Sequence, residues 1–227
     1  VEQGTLKVGE SLEAVVDADR RQAIRLNHTA THLMHAALRK VLGKHVTQKG
    51  SLVAPDRLRF DFNWGDPVAF EDLQEIERRV QAAVMRNEAV VKQYMGIEAA
   101  RSLGAMALFG EKYGDTVRVV TIGDGDFSVE LCGGTHVART GDIGVFKITH
   151  EGGIASGVRR IEAVTGAGAL DWIDAKQRTL ESVAALLRST PEDALGKIEQ
   201  LQKQNKELEK KLATAKHALI TGQGSDQ

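Results

Sequence analysis

Residues 117–164 read VRVVTIGDGDFSVELCGGTHVARTGDIGVFKITHEGGIASGVRRIEAV. Runs rich in Val, Ile and Phe at 117–122, 127–131, 145–150 and 158–164 are separated by Gly and Asp clusters, which is the pattern of short strands joined by turns. Upstream the period changes. Leu33, Ala36, Ala37, Leu38, Val41 and Leu42 recur at helical spacing, with Asn27 as the expected cap and Gly43 as the stop. Segments 46–53 and 57–62, joined across Ala54, Pro55 and Asp56, read as a hairpin with Leu58, Phe60 and Phe62 inward. A helix follows on the stripe Phe70, Leu73, Ile76, Val80, Ala83 and Val84, then a strand at 90–96. Strands in runs and helices in blocks predict an α+β fold, mostly an antiparallel sheet with packed helices.

Outside this block the expectations are simpler. Leu6, Val8, Leu12, Val15 and Val16, broken by Gly9, suggest two short strands, so residues 1–17 read as the remnant of a preceding β module. After Gly166, Leu170, Ile173, Leu180, Val183 and Leu187 mark one helix. Ser189, Thr190 and Pro191 then supply a break, a cap and a first-turn proline. Ile198, Leu201, Leu208, Leu212, Ala215 and Leu219 recur in steps of three and four once Asn205 is counted, placing Asn205 in a seam. Residues 167–221 are therefore expected to form a helical hairpin or a short coiled-coil arm able to self-associate, with 222–227 a disordered tail. Residues 1–166 are the expected main domain.

Of the 227 residues 42% are hydrophobic and 27% charged, and no apolar run approaches the roughly 20 residues of a membrane helix. No membrane partner is expected. Net charge is -1, so RNA contact would have to come from a local patch among Arg20, Arg21, Arg25, Arg57, Arg59, Arg159 and Arg160 rather than from bulk charge. Cys132 is the sole cysteine, which rules out an internal disulfide and suggests a reducing, cytoplasmic compartment. The chain begins at Val1 without a leader pattern and reads as a piece of a longer protein.

Two short motifs carry the chemistry. His28 and His32 stand one helical turn apart in HTATH, and Cys132 and His136 flank a glycine turn in CGGTH. Two imidazoles four apart can face one ion, and a thiolate with a third imidazole can complete a tetrahedron suited to zinc; the alternative is four buried, hydrogen-bonded side chains. A helical metalloprotease would have Glu beside the first His, where Thr29 stands. A zinc deaminase would need a catalytic Glu near its His and a paired-cysteine turn, both missing.

These motifs, with QKGSLV at 48–53, RLRFDF at 57–62 and GGIASGVRRIEA at 152–163, closely resemble the editing domain of alanyl-tRNA synthetases over roughly residues 1–166. The HTATH pair alone also resembles the threonyl-tRNA synthetase editing domain, but CGGTH and the 152–163 block favour the alanine type. The resemblance implies that His28, His32, Cys132 and His136 bind Zn2+, and that Gln48 lies beside the substrate pocket. It implies a deacylase that removes serine or glycine from mischarged alanine tRNA, with the ligase active site outside this chain. Thr29, Thr31 and Thr135 could offer hydroxyls to a serine side chain. Gly133 and Gly134 serve either as permissive turn residues or to let substrate or backbone approach the metal. The 152–157 run reads as a flexible loop near the tRNA end, with Arg159 or Arg160 on phosphate or else paired with an acidic side chain. A competing reading is a zinc-stabilised RNA-binding or assembly module without catalysis.

Overall fold

The computed structural model describes residues 4, 5, 7–106, 114–123 and 127–222. The chain divides into two compact units, Val1–Leu170 and Asp171–Gln227. The first is α+β with antiparallel sheets. Helix α1 spans Ala18–Val41 and begins ten residues before the expected start, because Asp17 rather than Asn27 caps it by accepting a hydrogen bond from the Arg20 amide. Asn27 is instead buried in mid-helix. Its amide donates to the Ala54 and Pro55 carbonyls at 2.7 and 3.3 Å and accepts from Thr165 Oγ1 at 2.7 Å. A cap-type residue ahead of an apolar run misled the local rule because its partners lie far away in sequence. Gly43 ends the helix as expected, at φ +120°.

Strands β1 (Gln48–Val53) and β2 (Leu58–Asn63) form the expected hairpin, and α2 (Phe70–Met85) follows. β3 (Val90–Gly96) leads into a one-turn helix, α3 (Ile97–Ser102), which periodicity is too short to reveal. β4 (Thr116–Ile122), β5 (Ser128–Leu131), β6 (Phe146–Ala155) and β7 (Val158–Thr165) complete two antiparallel sheets, ordered β1-β2-β7-β6 and β3-β4-β5. The expected loop at 152–157 is corrected: β6 continues through Gly152 and Gly153 to Ala155, held by pairing with Arg160, Arg159 and Val158 of β7. Only Ser156 and Gly157 turn. Glycine-rich composition suggested mobility, but ladder bonds from the next strand decided the outcome.

Leu33, Met34 and Leu38 of α1, Ile76 and Val80 of α2, and Phe60, Phe62 and Ile161 of the larger sheet are fully buried in one core. A smaller core of Ala100, Val117, Val119 and Leu131 lies on the face of the three-stranded sheet turned away from it. Along β3 and β4 side chains alternate between these two cores, and that alternation decides which residues meet α1. The described part of residues 1–17 contains no strand, and Val8, Leu12, Val15 and Val16 are exposed; Leu6 lies outside the described residues. Without a partner strand their short alternation has nothing to pair with.

In the second unit α4 (Gly166–Leu186) and α5 (Ala194–Gly222) are separated by a turn in which the Asp193 amide donates to Thr190 Oγ1. That turn delays α5 past the expected proline start. Leu201, Leu208, Leu212 and Leu219 are exposed, and Asn205 donates to Glu209 along its own helix. Only Ala184 and Ala194 are buried among the described residues of this unit, and the leucines of the expected seam are exposed. The expected tail beyond Gly222 lies outside the described residues. No described helix is long and apolar enough to cross a membrane.

Candidate metal centre

Helical spacing aims two imidazoles, His28 and His32, across the end of β5. Past β5 the chain turns at Gly133 and Gly134 and brings Cys132 and His136 back to them. The four potential ligand atoms lie within 4.8 Å of one another. Cys132 Sγ is 3.4 Å from His28 Nε2 and 3.3 Å from His136 Nε2, close to the roughly 3.4–3.6 Å edges of a tetrahedral nitrogen and sulfur site. The far side of each ring is already engaged. His28 Nδ1 donates to the Thr135 carbonyl at 3.1 Å, His32 Nδ1 to Glu130 at 2.8 Å, and His136 Nδ1 stands 3.2 Å from Thr29 Oγ1. Such outer contacts fix ring orientation and leave Nε2 for an ion, so these residues fit a metal.

Electrostatics point the same way. Burial opposes a Cys132 thiolate, but hydrogen bonds from His136, His28 and His32 outweigh it and hold the thiol down at about 3. Burial lowers His136 to about 4, against the hydrogen bond from Cys132. Both groups thus favour the form that binds metal. Burial also opposes a charged His32, yet the Glu130 carboxylate overrides it and holds the imidazole at about 10. Glu130 in turn is held below the usual carboxylate range by His32, despite its own burial.

Glu130 is the residue that sequence reading missed. Ser128, Glu130 and Cys132 share one parity along β5, so the cysteine's facing implied that Glu130 points at the same site. Ser128 Oγ donates to Glu130 at 2.9 Å. His35 is buried with Nδ1 3.6 Å from Glu130 Oε1, an electrostatic contact too long for a hydrogen bond.

Gln48 and Thr31 line a cavity of about 50 Å³ with His28, His32, Glu130 and Cys132. A water needs roughly 10–15 Å³, so the space admits a hydroxymethyl-sized group and excludes a bulky side chain. Larger clefts beside Trp64 (about 350 Å³) and Phe127 (about 670 Å³) share none of the four ligands. Thr29 faces away from the cavity: it is fully buried, takes the Val137 amide and backs His136. Thr31 Oγ1 donates to the Asn27 carbonyl, and exposed Thr135 contributes its carbonyl to His28. The two glycines separate cleanly. A Cβ on Gly134 would fall 2.0 Å from His28 Cε1, whereas one on Gly133 would meet nothing within 4 Å. Gly134 is needed for close approach of backbone to ligand.

The arginines expected near phosphate are engaged elsewhere. Arg159 makes paired hydrogen bonds to Glu151, and Arg160 does the same to Asp61 at 2.7 and 2.9 Å. Arg57 pairs with Asp56, and Arg59 lies 3.9 Å from Asp61. The Cys132–His136 turn is held by two cations that sequence did not single out. Arg118 donates to the Cys132 and Gly134 carbonyls, and Lys92 to those of His136 and Val137.

Residues 117–162 match the family model of the threonyl and alanyl tRNA synthetase second additional domain. The chain is 58% identical over 98% of its length to an alanine–tRNA ligase of Saccharophagus degradans, and 56% identical over 99% to one of Stenotrophomonas maltophilia. A third, from Xanthomonas campestris pv. campestris strain B100, is 53% identical over the whole chain. The chain spans about a quarter of the length of each of these relatives, 25% in all three.

Proposed function

We infer that this chain, which corresponds along its whole length to a segment of the alanyl-tRNA synthetase family, carries a hydrolytic editing site. Its reaction is cleavage of the ester joining serine or glycine to the terminal adenosine of alanine tRNA, in a cytoplasmic setting. Residues 1–166 form the editing module and 167–221 a helical arm whose exposed leucine row suits self-association. The observation that carries this reading is the small cavity lined by Gln48 and Thr31 directly against the His28, His32, Cys132 and His136 donors. A synthesis site for alanine cannot strongly reject a substrate that adds only a hydroxyl, about 10²-fold, so a second site hydrolyses what slips through.

Zinc suits the three-nitrogen, one-sulfur donor set, and when bound it would polarise the ester carbonyl or hold the aminoacyl group. The chain's own residues do the rest. Glu130 and Thr29 orient His32 and His136, and Gln48 offers an amide at the cavity wall. Gly134 keeps the backbone close enough for the turn to close over His28. The Arg159 and Arg160 ion pairs stiffen the sheet behind the cavity, and contact with the tRNA backbone would require them to share their donors.

Hydrolysis of seryl-tRNA and alanyl-tRNA of the alanine type, with and without a chelator, tests the reading. Rapid, chelator-sensitive loss of serine alone is expected, and equal, chelator-insensitive rates overturn it. One observation favours a second reading: four protein ligands fill a tetrahedron, as in purely structural sites, so the metal could serve a non-catalytic RNA-binding or assembly module. Cys132→Ser separates the two. Lost deacylation in a folded protein supports chemistry, whereas general unfolding supports the structural role.

A further inference from the structure

The face of the β3-β4-β5 sheet that meets α1 changes character across its width. β5 presents Ser128 and Glu130; by register Glu130 stands beside Val120, Val120 beside Lys92, and Arg118 beside Tyr94. The acidic side of this face supports His32, and the cations Lys92 and Arg118 lie towards the opposite side. Arg118 and Lys92 reach the carbonyls of the Cys132–His136 turn from below. Arg25 approaches from α1, one helical turn ahead of His28 and Thr29.

Holding the turn accounts for Arg118 and Lys92 but not for Arg25. Its Nε is buried without a hydrogen-bond partner. Among the described residues none of Arg25, Lys92 or Arg118 forms an ion pair with a carboxylate. Arg25 shares the face of α1 that carries His28 and Thr29, whose side chains contact Thr135 and Val137 at the same turn that Arg118 and Lys92 hold. Three cations thus gather at one backbone turn with no carboxylate partner among the described residues. Tyr94, directly opposite Arg118, is 73% exposed and supplies an aromatic face beside them.

We propose that Arg25, Lys92 and Arg118 form a phosphate site for the RNA strand whose esterified end enters the metal cavity, with Tyr94 stacking a neighbouring base. The proposal rests on the editing reading. It places the backbone contact on the β3 side of the turn, away from Arg159 and Arg160. Phosphates position a strand without reading its sequence, so this site sets how deeply the end enters rather than which amino acid is removed.

The test uses the zinc-loaded chain and two esters, seryl-tRNA of the alanine type and 3′-O-seryladenosine, which has no phosphate. Arg25→Gln is expected to raise KM for the tRNA ester about tenfold, to lower the salt slope of tRNA binding by about one, and to leave zinc content and seryladenosine hydrolysis unchanged. Tyr94→Ala is expected to weaken tRNA several-fold, again without touching the small ester. Arg118→Gln and Lys92→Gln should impair both esters, because those side chains also hold the turn. An Arg25→Gln protein with unchanged KM on tRNA, or with equal losses on both esters, overturns the proposal. If the unaltered protein hydrolyses neither ester, the editing reading fails and tRNA affinity decides alone: weaker, less salt-sensitive binding by Arg25→Gln supports the phosphate site, and unchanged binding rejects it.

Discussion

The group formed by His28, His32, Cys132 and His136 has two halves built on different principles. His28 and His32 ride on one long helix, and the backbone hydrogen bonds of α1 set their spacing before any tertiary contact forms. Cys132 and His136 sit on a turn with no regular structure of its own; Arg118, Lys92 and the Thr29 hydroxyl hold it from outside. A helix carries its geometry internally, whereas a turn borrows it from its neighbours. The second half should therefore be the easier to disrupt, and through residues that never touch the ion.

The largest expected effect comes from the point where the halves meet. Gly134→Ala would drive a methyl group into the His28 ring, so metal content measured by atomic emission should fall from one per chain towards zero. Gly133→Ala should retain full content, and equal losses in both variants would refute the close-approach argument. A middle-sized effect is expected at the outer contact on the helical half. Glu130→Gln keeps the shape but removes the charge facing His32, and zinc affinity by competition titration should weaken about 10–100-fold. The smallest effect tests whether the arm matters to either half. Leu212→Ser on exposed α5 should shift the stability of the first unit by less than about 0.5 kcal/mol in chemical denaturation. A larger shift would show that the arm supports the first unit.

The same contrast governs what could be read from the sequence. Helix α2 and the β1-β2 hairpin were legible from the period of their apolar residues, and the second half of α1 from a dense apolar run that is buried from Thr29 to Leu38. The grouping of His28, His32, Cys132 and His136 was legible because HTATH and CGGTH combine soft and imidazole donors at compatible spacings. Other features depend on partners distant in the chain. Asp17, not Asn27, caps α1, because Asn27 is claimed by residues 54, 55 and 165. The glycines at 152 and 153 are strand rather than loop because β7 pairs with them. Arg118 and Lys92 each look like ordinary strand cations until the turn they hold is folded beside them. Glu130 lay between: its parity with Cys132 was visible, but its pairing with His32 required knowing that β5 runs beneath α1.

Asn27 has a consequence beyond packing. It immediately precedes His28, and its one amide group is shared by the hairpin turn and the end of β7. That makes it a common reference mark for three separate pieces of chain, fixing both the rotation and the axial setting of α1. A helix turned by a few degrees would swing both imidazoles together and leave their mutual spacing intact. The alignment of the four-donor group is thus registered by a side chain outside it, and drift there would appear as a loss of aim rather than a loss of parts.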